Sequence, residues 1–215
     1  MLNADHGKKA LMDRFTAIVS PIEIEPTNLR DAGPVHVTTM TILDVSGGCF
    51  RANSKFLRYD DSIDEDSNFS PVIEAKDILP GMFLMTNKGP QIVEIVVKSF
   101  HIGNMYIVDE SVCLTGYHPY KVNGVSKFPA EQNLQVFQED DYVYDVIMSG
   151  RGNLITTSGV EVATLSHGEQ DPIFKHKFFG TEEVVDALKS LGSRYLTFDE
   201  SPFTRDEDGT VSGLA

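Results

Sequence analysis

Between Cys49 and roughly Leu165, apolar positions come in short alternating runs cut by turn signals: Pro80-Gly81, Lys88-Gly89-Pro90, Gly103-Asn104, Asn123-Gly124 and Ser158-Gly159. This pattern predicts strands over 50–58, 82–86, 91–100, 105–109, 111–115, 119–122, 125–128, 142–148, 153–157 and 160–165. Asn123-Gly124 is the strongest hairpin signal, because both central positions tolerate positive φ. With no helical stretch between the strands, the spacing argues for an all-β barrel or sandwich rather than a parallel α/β sheet.

The flanks read differently. Ala10, Leu11, Phe15 and Ile18 suit a short helix within 6–19, and 21–34, with three prolines and no period, reads as a linker. The β-branched, alternating stretch 35–45 predicts a strand ending at Ser46-Gly47-Gly48. After Gly180, Val184, Val185, Leu188 and Leu191 fall on one helical face. Acids occupy the first turn, Lys189 lies near the end and Gly192 is a stop. The acidic stretch 60–68 lacks the glycine on which a calcium loop turns and reads as a solvated loop. The polar tail, 199–215, reads as a poorly ordered extension.

Composition narrows the function. In 215 residues, Lys and Arg number 18 against 32 Asp and Glu, a formal charge of −14. Such a charge repels a phosphate backbone and anionic membrane surfaces, so no nucleic-acid partner is expected. The longest apolar runs, such as 92–97, fall far short of the roughly 20 residues of a membrane span. The N-terminus shows no apolar stretch followed by a small-residue cleavage site, so a soluble, cytoplasmic protein is expected. Two cysteines cannot build a disulfide framework.

Cys49 follows two glycines directly after a predicted strand. One reading is a small buried hydrophobe. The other is a thiol beside its own upstream peptide bond, where Gly48 removes the side chain that would crowd attack on its carbonyl. The hexapeptide Leu114-Thr115-Gly116-Tyr117-His118-Pro119 gains meaning beside it. Exchange of an amide for a thioester needs a thiol nucleophile, an oxyanion stabiliser and an acid for the departing nitrogen. Cysteine, threonine and histidine supply these, and the ordinary pKa of histidine suits proton donation near neutrality.

CFRANSKFLRYDD at 49–61, AKDILPG at 75–81, LTGYHPYKVNG at 114–124 and VYDVIMSGRGNLITTSGVEVATLSHG at 143–168 resemble the successive motifs of a Hint domain, the fold of inteins and hedgehog autoprocessing domains. The nearest likeness is the Vint type, associated with von Willebrand A domains. There the histidine motif runs on into an aromatic-Phe-Pro-like stretch, here Lys127-Phe128-Pro129, and a late stretch is similar to FFGTEEVVDALKSL. The resemblance implies an all-β, horseshoe-like Hint fold over 49–198, with a short C-terminal helix. Residues 1–48 would be an N-terminal helical extension and linker and the candidate cleaved segment, and 199–215 an acidic tail.

The resemblance further implies Cys49 as nucleophile, Gly48–Cys49 as scissile bond, and Thr115 with His118 as the pair that aligns and protonates that amide. Asp145 matches an acidic position that assists the acyl shift; otherwise it reads as a solvent-facing strand residue. Where an intein ends in His-Asn this chain has Ala163-Thr164, so splicing is not expected. The chain's own N-terminal segment would be substrate, water or a small nucleophile would release it, and no cofactor is implied. The competing reading is a non-catalytic interaction or structural domain on the same fold. Cys113 reads as a buried strand cysteine or a redox partner for Cys49. The spacing of His167 and His176 fits no structural zinc pattern, so no metal is expected and neither has an assigned role.

Overall fold

The computed structural model describes residues 48–59, 71–207 and 211–214. The helix expected within 6–19, the linker at 21–34, the strand at 35–45 and the acidic loop at 60–68 lie outside the described residues. What is described is mostly β-sheet with one short α-helix. In chain order the strands are β1 (Phe50–Arg51), β2 (Lys55–Leu57), β3 (Val72–Glu74), β4 (Phe83–Thr86), β5 (Gly89–Ile107), β6 (Cys113–Thr115) and β7 (Tyr120–Val122). There follow β8 (Val125–Lys127), β9 (Gln135–Met148), β10 (Leu154–Ile155), β11 (Glu161–Val162), helix α1 (Glu182–Ser190), β12 (Tyr195–Phe198), β13 (Phe203–Arg205) and β14 (Val211–Leu214).

The main sheet runs in the order β6-β1-β9-β5-β4-β10-β11-β7-β8, with β12 parallel to β5. Its frame is the antiparallel ribbon of β5 and β9, paired from Val93–Met148 to Ile107–Gln135. Gly103-Asn104, expected to be a turn, lies inside this ribbon opposite Glu139 and Gln138, and the Asn104 side chain bonds that of Gln138. A long antiparallel partner overrides the turn tendency of the dipeptide. The Asn123-Gly124 expectation holds: Val122 pairs with Val125, and the two turn residues have φ of 51° and 77°.

The ribbon separates two cores. Phe50, Val93, Val96, Tyr144, Val146 and Met148 belong to one; Ile95, Val97 and Ile147 belong to the other, with Val184, Val185 and Leu188 of α1. A register shift between Val93 and Ile95 explains why Val93 and Val96, three apart, share a face. Helix α1 starts where expected, Thr181 accepting the Glu183 N–H, and stops before Gly192 at φ 73°. Leu191 is exposed instead of lying on the apolar face, because it is already the C-cap.

The tail at 199–215 corrects the expectation of a loose extension. Phe203–Arg205 and Val211–Leu214 form a hairpin, and Val211, Phe203 and Leu214 pack onto the second core. Three apolar side chains in an acidic segment suffice to dock it. Among the described residues no helix is long and apolar enough to cross a membrane.

Candidate functional site

Cys49 immediately precedes β1, which lies between β6 and β9. Phe50 is opposite Leu114 on one side and Tyr144 on the other. Continued by one residue, the antiparallel register sets Cys49 in a row with Thr115 and Asp145, three residues far apart in sequence. Thr115 grips the backbone of Cys49 twice. The Cys49 N–H donates to Thr115 Oγ1 at 3.1 Å, and the Thr115 N–H donates to the Cys49 carbonyl at 3.0 Å.

The spacing of Thr115 and His118 has a local cause. The His118 N–H donates to the Thr115 carbonyl at 3.2 Å, closing a turn that brings both side chains to the Gly48–Cys49 peptide. Gly116 lies inside that turn, where a Cβ would meet the Tyr106 ring at 3.1 Å and Ala130 at 3.2 Å. His118 is buried against Gly48 so closely that a Cβ at position 48 would stand 2.9 Å from Nδ1 and 3.1 Å from the His118 Cα. Glycine is therefore required at 48 by close approach of the histidine, a further reason beside access to the carbonyl.

The tautomer of His118 follows from its partner. Nε2 lies 3.0 Å from the Ala163 carbonyl, which only accepts, so Nε2 carries the proton. Nδ1, the unprotonated nitrogen, lies against Gly48. Burial pushes the His118 pKa down to about 4, partly opposed by the Ala163 and Gly48 backbone. The ring is neutral near pH 7, which corrects the expectation of a resident proton donor. A neutral ring can accept a proton and can donate from Nδ1 only after taking one up.

Asp145 is not solvent-facing: its relative exposure is 4 %. Burial raises its pKa well above the usual carboxylate range, against hydrogen bonds from the Val146 and Leu165 backbone. A cavity of about 20 Å³, room for roughly one water, brings together Gly48, His118, Asp145, Thr164 and His167. The Cys49 side chain packs with Met105 and Val143, with Cys113 and Phe137 at the edge. Burial pushes the Cys113 thiol up, partly opposed by the Arg51 charge, and a protonated thiol exchanges slowly. Neither Cys49 nor Cys113 is in a disulfide.

His167 lines the same cavity, and neither composition nor spacing pointed to it. The Glu169 N–H donates to its Nδ1 at 3.0 Å, and burial holds its pKa down to about 4. His176 accepts the Phe178 and Phe179 N–H groups at Nδ1, at 3.1 and 3.0 Å, and also titrates down to about 4 through burial. The structure therefore uses both histidines as caps for backbone donors.

Residues 48–213 match the family model of the Vint Hint domain, and the chain belongs to this Hint-domain family. No curated protein matches. Among solved structures it is similar to the crystal structure of the gp41-1 intein, at 14 % identity and a TM-score of 0.40, covering 55 % of this chain and all of the intein. A substituted form of that intein is similar at 12 % identity, with the same TM-score and coverage.

Proposed function

We propose that the chain cleaves its own backbone after Gly48, in a single turnover and without splicing. The observation that carries the reading is the grip on one peptide bond: Thr115 holds its nitrogen while His118 sets Nδ1 against Gly48. Cys49 Sγ attacks the Gly48 carbonyl carbon, a C–S bond forms, and the thiol proton passes to His118 Nδ1. The carbonyl electrons move onto oxygen. On collapse the C–N bond breaks, and the imidazolium returns its proton to the nitrogen of Cys49, giving a free amine and a thioester. Water then attacks the thioester, releasing a carboxylate at Gly48 and regenerating the thiol.

Burial supports each assignment. A neutral imidazole has a lone pair to take the thiol proton, although burial weakens it as a base, and its low conjugate pKa makes the imidazolium a strong acid toward a poor leaving group. Burial raises the Asp145 pKa and so disfavours a negative charge beside a developing thiolate. The test is the intact mass of the full chain incubated with dithiothreitol or hydroxylamine, beside a Cys49→Ala chain. Expected is release of the segment ending at Gly48 from the wild type, accelerated by either reagent and absent from the variant. A wild-type chain that stays whole through long incubation refutes self-processing and leaves a non-catalytic Hint domain.

A further inference from the structure

We propose that His167 is the oxyanion donor of this site, its Nε2–H serving the Gly48 carbonyl oxygen as it takes up charge. The inference rests on the self-processing reading and adds a residue to it. Three observations carry it. His167 is 3 % exposed and lines the small cavity that also touches Gly48, His118 and Asp145. Its Nδ1 is occupied by the Glu169 N–H, and since that atom must accept, the ring proton is fixed on Nε2. The ring is also held in orientation. Phe174 stands edge-on to it with centroids 5.6 Å apart, and a Cβ at Gly180 would approach its Cε1 to 3.3 Å.

The chemistry needs such a donor. Attack of Cys49 Sγ turns the Gly48 carbonyl into an alkoxide, and the groups already assigned act on the scissile nitrogen and the thiol proton. Thr115 Oγ1 accepts from the amide nitrogen, and His118 Nε2–H is committed to the Ala163 carbonyl. His167 stands in the opposite sense to His118: both rings carry the proton on Nε2, but His118 turns Nδ1 to the scissile residue while His167 keeps Nε2–H available. Burial keeps His167 neutral at working pH, so the donor needs no proton uptake before each attack. The same bond serves the second alkoxide, formed when water adds to the thioester.

The test compares His167→Leu, which keeps bulk and removes the N–H, with His167→Gln, which keeps an N–H at similar reach. Thiol-induced cleavage of His167→Leu should slow by roughly a hundred- to a thousandfold, the usual loss for one oxyanion donor, with Gln recovering most of it. Thermal unfolding of each variant controls for folding. Imidazole ¹⁵N shifts of the uncleavable Cys49→Ala chain supply a readout that needs no His167 variant: His167 should be an Nε2–H tautomer. Wild-type cleavage rate in folded His167→Leu, equal loss in folded Gln and Leu variants, or an Nδ1–H tautomer would each overturn the assignment. A wild-type chain that never cleaves instead refutes self-processing itself.

Discussion

Three buried histidines with pKa values near 4 make the fold acid-labile in a calculable window. His118, His167 and His176 each fall from an ordinary 6.5 to about 4, in every case chiefly through burial. The depressed value means that the native state disfavours the proton. The stability tied to neutrality is therefore present above pH 6.5 and lost as pH falls toward 4. Within that window the unfolded chain binds about three more protons than the native one at these sites. Asp145 acts in the opposite sense: its raised pKa lets the native state hold a proton that the unfolded chain has released above about 4. Asp145 thus offsets part of the histidine contribution. At about 1.4 kcal/mol per proton per pH unit, the histidines alone lower the unfolding free energy by roughly 3 kcal/mol per unit between pH 6 and 5, and Asp145 makes the fall shallower. Urea midpoints of the uncleavable Cys49→Ala chain at pH 7.5, 6 and 5 measure this directly. The same series on Cys49→Ala with Asp145→Asn should be steeper. A flat profile from pH 7.5 to 5 would refute the placement of these rings in the core, and with it the neutral His118 on which the mechanism depends.

Other substitutions probe the grip on the scissile bond. Thr115→Val removes the acceptor of the Cys49 N–H and leaves a buried donor unpaired; about 1 to 3 kcal/mol of stability should be lost, read as a lower urea midpoint, together with slower cleavage. His118→Ala should slow cleavage by roughly a hundred- to ten-thousandfold. It should also destabilise the domain by orphaning the Ala163 carbonyl, so rates must be compared below the variant's unfolding temperature. Gly48→Ala forces a methyl to within 3.1 Å of the His118 backbone, so cleavage should fall about a hundredfold even though the scissile chemistry is unchanged; an unimpaired rate would show that the histidine need not approach so closely.

Motif order and strand alternation made much of the fold legible: the β7–β8 hairpin, the limits of α1 and the β-rich middle were all readable from turn residues and period. The 19-residue β5 was not, because nothing within Gly103-Asn104 announces that β9 will run past it in register for its whole length. The docked tail escaped for a similar reason. Phe203, Val211 and Leu214 are too sparse for a pattern, and only the second core gives them a partner. At the site, Cys49, Thr115 and His118 could be picked out by residue type and spacing, but their electrostatics could not. The exposure of Asp145 depends on which face of β9 the second core covers. The state of His118 depends on a carbonyl at Ala163, 45 residues away. His167 stood inside the 143–168 motif, but residue type and spacing gave it no role, because its place beside Gly48 is set only by the fold.

Burial and backbone hydrogen bonding together can divide labour among side chains of one type. In water near neutrality the three imidazoles would exchange tautomers and be chemically equivalent. Here a carbonyl acceptor at Ala163 and N–H donors at Glu169, Phe178 and Phe179 fix the proton on Nε2 of all three. What differs is which atom each ring leaves free. His118 keeps a lone pair beside Gly48, His167 keeps an N–H at the cavity, and His176 keeps a buried Nε2–H without a partner. The division lasts only while the rings stay neutral, because a protonated imidazole donates at both nitrogens and has no base to offer. The low pKa values that keep base and donor distinct at neutral pH are thus the same values that make the native fold unstable in acid, and weakening the burial to relieve one would erase the other.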